Sequence, residues 1–195
     1  MSRAITRTDI LDPATYEQRR AELRARNVER KKARRVHVGP FATFHFESRD
    51  TMWMQIHEML RIEKGGEAQI DGELEAYNPL VPQGHELTAT MMLEIEDPQH
   101  RAVVLARLGH IDESITLFFA GETVKALPVN PEEDRTTPEG KTSSIHFLRF
   151  VFAPEQIARF RTPGTQVVLA FAHPDYAHAA VMPEAVRAAL AEDFD

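Results

Sequence analysis

Residues 39–64, GPFATFHFESRDTMWMQIHEMLRIEK, restrict the fold more than any other stretch of the chain. Phe41, Thr43, His45 and Glu47 alternate with Ala42, Phe44 and Phe46, the period of two that a half-buried strand requires. Ser48-Arg49-Asp50 then reads as a turn, with Asp50 as the cap of a helix over 51–64 that Gly65-Gly66 ends. Trp53, Ile56, Met59, Leu60 and Ile62 are the expected buried face of that helix. Strand and helix separated by three residues must be neighbours in space. The same stretch concentrates the chemistry-bearing side chains His45, Glu47, Arg49, Gln55, His57, Glu58, Arg61 and Glu63. Their spacing matches no catalytic or metal-binding signature.

The remaining elements follow from similar signals. Asp12 and Pro13 open a helix of good helix formers to about residue 34, whose apolar face is only Tyr16, Leu23 and Val28. Further helices are expected at 67–77, 98–108, 154–160 and 183–191, and strands at 36–47, 86–96, 115–120, 123–129, 143–152 and 166–172. Gly121-Glu122 suits a hairpin turn. The nearly continuous apolar run at 166–172 reads as a central strand. Residues 130–141, NPEEDRTTPEGK, hold no core residue and read as a flexible insertion. Hairpins and alternating faces without a regular strand–helix repeat predict a single α+β domain. Its sheet is expected to be mostly antiparallel with helices on one side, spanning 36–195 behind a basic helical arm at 1–35.

Composition narrows the function classes. A chain of 195 residues with 43% hydrophobic and 27% charged residues is an ordinary globule. With no cysteine it has no disulfide, thiolate metal site or cysteine nucleophile. There is no signal-peptide core at the N-terminus and no apolar run of membrane-spanning length, so a cytoplasmic protein without a membrane span is expected. The net charge of −7 is uneven. Eleven Lys/Arg and five Asp/Glu give residues 1–35 a charge of +6, and twelve against twenty-five give the remainder −13. Such an arm is either a nucleic-acid or membrane-surface tail or a helix that lies on its own acidic body or docks another, acidic protein. Nucleic-acid binding is disfavoured, because the arm has one aromatic and the body repels phosphates. Pairing of exposed strand edges would give a homo-oligomer.

The runs VGPFATFHFESRDTMWMQIHEMLRIEK, ELEAYNPLVP, ELTATMMLEIED and KTSSIHFLRF together resemble the bacterial domain-of-unknown-function family 3501, over nearly the whole chain. The resemblance supplies no catalytic residues. It implies a context of rubrerythrin-like di-iron proteins and iron–sulfur oxidoreductases encoded nearby, and so redox or peroxide-stress physiology.

Two kinds of site are candidates. His45, Glu47 and Glu58, with His57 beside them, supply the His-plus-carboxylate donors that Fe, Mn or Zn accept, and His173, Asp175 and His178 form a second set after the apolar strand. The opposing reading makes these residues ion-pair and backbone partners. Arg49, Gln55, Arg61, Glu63, Tyr77 and Asn78 mark a polar groove between two helices for a ligand or partner, against a plain solvated face. With no hydrolase serine, phosphate loop or dinucleotide fingerprint, the leading expectation is an accessory or binding protein working with a redox partner, and the alternative a metal-dependent enzyme or sensor.

Overall fold

A computed structural model describes residues 3–195. The chain is a single α+β domain built on one eight-stranded, wholly antiparallel sheet. The strands are β1 (Arg35–Val38), β2 (Ala42–Phe46), β3 (Glu86–Leu93), β4 (Ile115–Phe119), β5 (Glu122–Pro128), β6 (Ile145–Val151), β7 (Val167–Phe171) and β8 (Ala179–Val181). They lie in the order β1-β2-β3-β6-β5-β4-β7-β8. The helices are α1 (Pro13–Lys32), α2 (Arg49–Glu63), α3 (Glu67–Tyr77), α4 (Pro98–Leu105), α5 (Pro154–Arg161) and α6 (Glu184–Ala191). No helix among the described residues is long and apolar enough to cross a membrane.

The sheet curls until its edges meet. The Tyr176 hydroxyl, just before β8, donates to Val38 O at 2.8 Å and accepts from Phe41 N and Ala42 N at 2.9 Å each. The enclosed face carries the alternating residues of the strands, among them Phe44, Phe46, Leu87, Met91, Leu117, Leu148, Phe150 and Leu169, all buried in one core. Phe160 of α5 and Phe194 after α6 pack with Phe119 at the end of β4 and Phe152 just after β6. A 3-10 turn at Ile111–Ser114 leads into the start of the same strand.

The outer face of β2, β3 and β6 is covered differently. Ile5, Met52, Ile56, Leu80 and Val81 form a second cluster against Phe147, so the N-terminal segment, α2 and α3 lie on the outside of the sheet. Tyr16 of α1 is buried against α2, with its ring 4.8 Å from that of His57.

Several sequence expectations change. The single strand at 36–47 is two strands, because Gly39, with φ of 69°, reverses the chain before Phe41. A Cβ there would stand 2.6 Å from the His178 ring and 2.8 Å from the Tyr176 hydroxyl, so the turn and the closure of the sheet need the same glycine. Ser48, not Asp50, caps α2: its side chain accepts from Thr51 N, and Asp50 sits in the first turn. The buried face of α2 is Thr51, Met52, Met54, Ile56 and His57, while Ile62 is 64% exposed, because α1 covers a second flank of the helix. The β4–β5 turn is Ala120-Gly121, both at positive φ. Helix α4 ends at Leu105 and leaves Val103 exposed. Strand β7 is next to the edge, with β8 beyond it, although Val167, Leu169 and Phe171 are buried. The 130–141 loop is anchored. Thr136 and Thr142 are buried and bridge one another, and Thr142 N and Ser143 N donate to Leu105 O and Arg135 O.

Candidate functional site

The N-terminal arm lies on its own body. Arg20 holds both oxygens of Glu58 at 2.8 Å, and the Tyr16 hydroxyl donates to the same carboxylate at 2.5 Å. The Arg20 guanidinium first, helped by the Tyr16 hydrogen bond, holds the Glu58 carboxyl down at about 2, and burial together with Glu58 pushes the Tyr16 phenol up. Arg30 pairs with Asp50, Arg7 with Asp71, and buried Arg34 with Asp193.

The expected groove between α2 and α3 is largely filled by the chain itself. Arg49 pairs with Asp9 at 2.8 Å. The Asn78 side chain holds the Ile5 backbone twice, accepting from its N at 2.7 Å and donating to its O at 2.9 Å. Arg61 pairs with Glu17 at 2.7 Å, Glu63 accepts from Gln69, Tyr77 packs in the outer cluster and Gln55 is half-buried on α2. Three of the six groove candidates therefore clamp the N-terminal region.

A cleft of about 630 Å³ remains where this segment, α1, α2 and the start of α3 meet. Ile10, Leu11, Pro13, Leu60 and Ile70 form its apolar walls, with Arg61 and Lys64 at the rim. Among its polar wall groups, Asp12, Tyr16, Glu17, His57 and Arg61 are engaged internally, while Lys64 and Glu67 lie exposed at the edge. His57 Nε2 accepts from Leu11 N at 3.0 Å and Nδ1 donates to Trp53 O at 2.8 Å, which leaves the neutral ring no free nitrogen. Burial lowers the His57 pKa further.

The metal candidates are dispersed. Glu47, buried beneath α2, accepts from Thr51 Oγ1 at 2.7 Å and Thr90 Oγ1 at 2.8 Å. Glu58 faces α1. His45 is half-buried on β2 with Nε2 unpartnered, and burial, then Arg35, lowers its pKa. In the second set His173 donates from Nε2 to Gly109 O and accepts at Nδ1 from Asp175 N, Asp175 pairs with Arg107, and His178 packs edge-on against Tyr176. Among the described residues no three His, Asp or Glu side chains are grouped to hold a metal ion.

A second cavity, of about 670 Å³, lies under the start of the 130–141 loop and is lined by Asp112, Arg135, His146, Phe147 and Arg149 among others. Asp112, Arg135, His146 and Arg149 match no site pattern in the sequence, whereas Phe147 belongs to the aromatic strand faces that a ligand-binding module would use to line a pocket. The signal available was an arginine beside phenylalanine on the outer face of a strand whose other face is core.

The family model described as a protein of unknown function (DUF3501) matches residues 4–194. No curated protein matches the chain. A crystal structure of a novel protein of unknown function from Burkholderia pseudomallei K96243 is 37% identical, covers 98% of this chain and 100% of its own, and superposes with a TM-score of 0.90. The runs that carry the sequence resemblance form the β1–β2 turn, β2, α2, the end of α3, β3 and β6, and with the match over nearly every residue they place this chain in the DUF3501 family.

Proposed function

We propose that this protein is a binding protein without turnover, which holds a mainly apolar small molecule in the cleft between its N-terminal segment, α1, α2 and α3. The observation that carries this reading is the contrast between the walls and the polar groups of that cleft. Apolar side chains make the walls, whereas His57, Tyr16, Asp12, Glu17 and Arg61 spend their hydrogen bonds on the protein. Such a surface offers burial and shape, and few groups able to activate a substrate. Its volume suits a ligand of metabolite size. The partner to test first is a rubrerythrin-like or iron–sulfur protein, on the strength of the family context alone.

The test is titration of the full chain with 1-anilinonaphthalene-8-sulfonate, followed by displacement with dodecanoate. Saturable dye binding that dodecanoate displaces, and that Ile70→Trp abolishes by filling the cleft without lowering Tm, is the expected result. Dye binding that Ile70→Trp leaves unchanged overturns the assignment. Co-elution of the protein with a rubrerythrin-like partner in size exclusion checks the partner separately.

A further inference from the structure

We propose that the second cavity is a separate binding site for a small oxyanion, a carboxylate or a phosphate, held between the guanidinium groups of Arg149 and Arg135 beside the Phe147 ring. The proposal is independent of the cleft reading.

Arg149 is the central observation. It lies on the outer face of β6, with only 34% of its side chain exposed. A guanidinium presents five N–H donors in a fixed fork. Here one hydrogen bond is made, from Nη2 to Val129 O at 3.2 Å. Nε is buried and without a protein acceptor. The Glu86 carboxylate stands 4.0 Å from Nη1, too far for a hydrogen bond. The half-buried cation thus has the buried Glu86 charge nearby but more donors than its protein partners use. Nη1 and the second hydrogen of Nη2 remain as an end-on fork, the geometry a bidentate oxyanion matches.

Arg135 is the second cation. Its guanidinium carbon sits 4.8 Å from the centroid of the Phe147 ring, and Phe147 is two residues from Arg149 on the same face of β6. The anchored loop fixes its position: Ser143 N donates to Arg135 O at 2.7 Å, and Glu133 pairs with the guanidinium at 2.8 Å. Two cations thus share one cavity wall. Of the carboxylates there, Glu133 is paired with Arg135 and Glu75 is exposed at the rim, while Asp112 stands 3.6 Å from His146 Nδ1, beyond hydrogen-bond reach, and keeps its charge in the lining against the two arginines. Since the body outside residues 1–35 carries −13, diffuse attraction does not favour anions, and saturable binding reports a built site.

The experiment is calorimetric titration of the full chain with succinate and with inorganic phosphate at matched ionic strength. Saturable binding of at least one is expected, weakened about tenfold or more in Arg149→Lys, which keeps the charge and loses the fork. Arg135→Gln, on the loop, is expected to weaken binding as well, and serves if the strand variant fails to fold. A preference between the two anions identifies the natural class. Absence of saturable binding to both, or affinity unchanged in both variants, overturns the proposal.

Discussion

Leu11 N–H donates to Nε2 of His57 at 3.0 Å, and this bond joins the N-terminal segment to the middle of α2. The other ring nitrogen donates to Trp53 O, so the imidazole is held as one neutral tautomer. Trp53 in turn donates from its indole nitrogen to Asp9 O at 2.8 Å. Two adjacent turns of α2 thus hold both ends of a three-residue stretch, and that stretch leads into a wall of the apolar cleft. A proton on Nε2 would set donor against donor and break the contact with Leu11.

The sign of the pH dependence follows. Burial depresses the His57 pKa below its usual 6.5, so the unfolded chain binds the proton more readily than the folded one. The stabilisation is complete above about pH 6.5 and is lost as pH falls below it toward the depressed value. His57→Phe keeps a ring between Tyr16 and Trp53 but removes the acceptor, at a cost of about 0.5–1.5 kcal/mol at neutral pH. Urea titrations at several pH values are expected to show a shallower acid-side loss for the variant than for the parent chain. Equal slopes would mean that His57 does not carry the effect.

Much of the architecture was legible because periodicity decides it. The alternation of Leu87, Ala89, Met91, Leu93 and Ile95 puts all five in the interior, and α2 stops just before Gly65-Gly66, although Lys64 and not a glycine takes the left-handed capping conformation. What the sequence did not reveal depends on distant partners. His57 counts as a free donor in the sequence because nothing local announces that Leu11, 46 positions earlier, occupies it. Asn78 and Arg49 read as groove residues, and the N-terminal segment fills the groove they would line. The exposure of Ile62 and burial of Met54 follow from α1 lying against α2, and a thin apolar face with one buried residue, Tyr16, gave little sign of it. Arg149 went unremarked because a single arginine on a strand has no spacing to recognise.

The dispersal of His45, Glu47 and Glu58 has a measurable consequence. Glu47 is held by two threonine hydroxyls and Glu58 by Arg20 and Tyr16, so binding a metal there would first have to break those contacts. Protein purified without chelator or metal-affinity tag is expected to contain well under one equivalent of Fe, Mn or Zn by elemental analysis. A stoichiometric metal that is lost in a His45→Ala, Glu47→Ala double variant would support the metal-site reading.

Arg34 and Asp193 make a buried ion pair that ties the end of α1 to the C-terminal residues. Arg34 also donates to Phe46 O, Glu47 O and Ala189 O. Burial pushes the Asp193 carboxyl up to about 6 even against the attraction of Arg34. Its folded form therefore gains stability as pH falls from about 6 toward 4, opposite in sign to His57. Arg34→Met leaves the carboxylate buried without its partner and is expected to cost about 3–5 kcal/mol at pH 7. The deficit should shrink at pH 5, where the acid is neutral. A deficit of constant size across that range would assign the loss to the three carbonyl contacts and not to the charge.

Tyr176→Phe tests the closure of the sheet. The hydroxyl is buried, and it serves a carbonyl on β1 and two amides at the start of β2 from a residue that precedes β8. Removing it leaves three backbone groups to find other partners in an interior whose space is already taken by Phe41, Phe171 and His178 around the ring. Each buried group left unpaired costs about 1–3 kcal/mol, so the variant is expected to lose at least that much. Hydrogen exchange should show the loss locally, with Phe41 and Ala42 amides deprotected while the β3–β6 pairing in the middle of the sheet keeps its protection. A change within about 0.5 kcal/mol, as for an ordinary surface substitution, would show that the two edges are held together by packing around Gly39 and not by this oxygen.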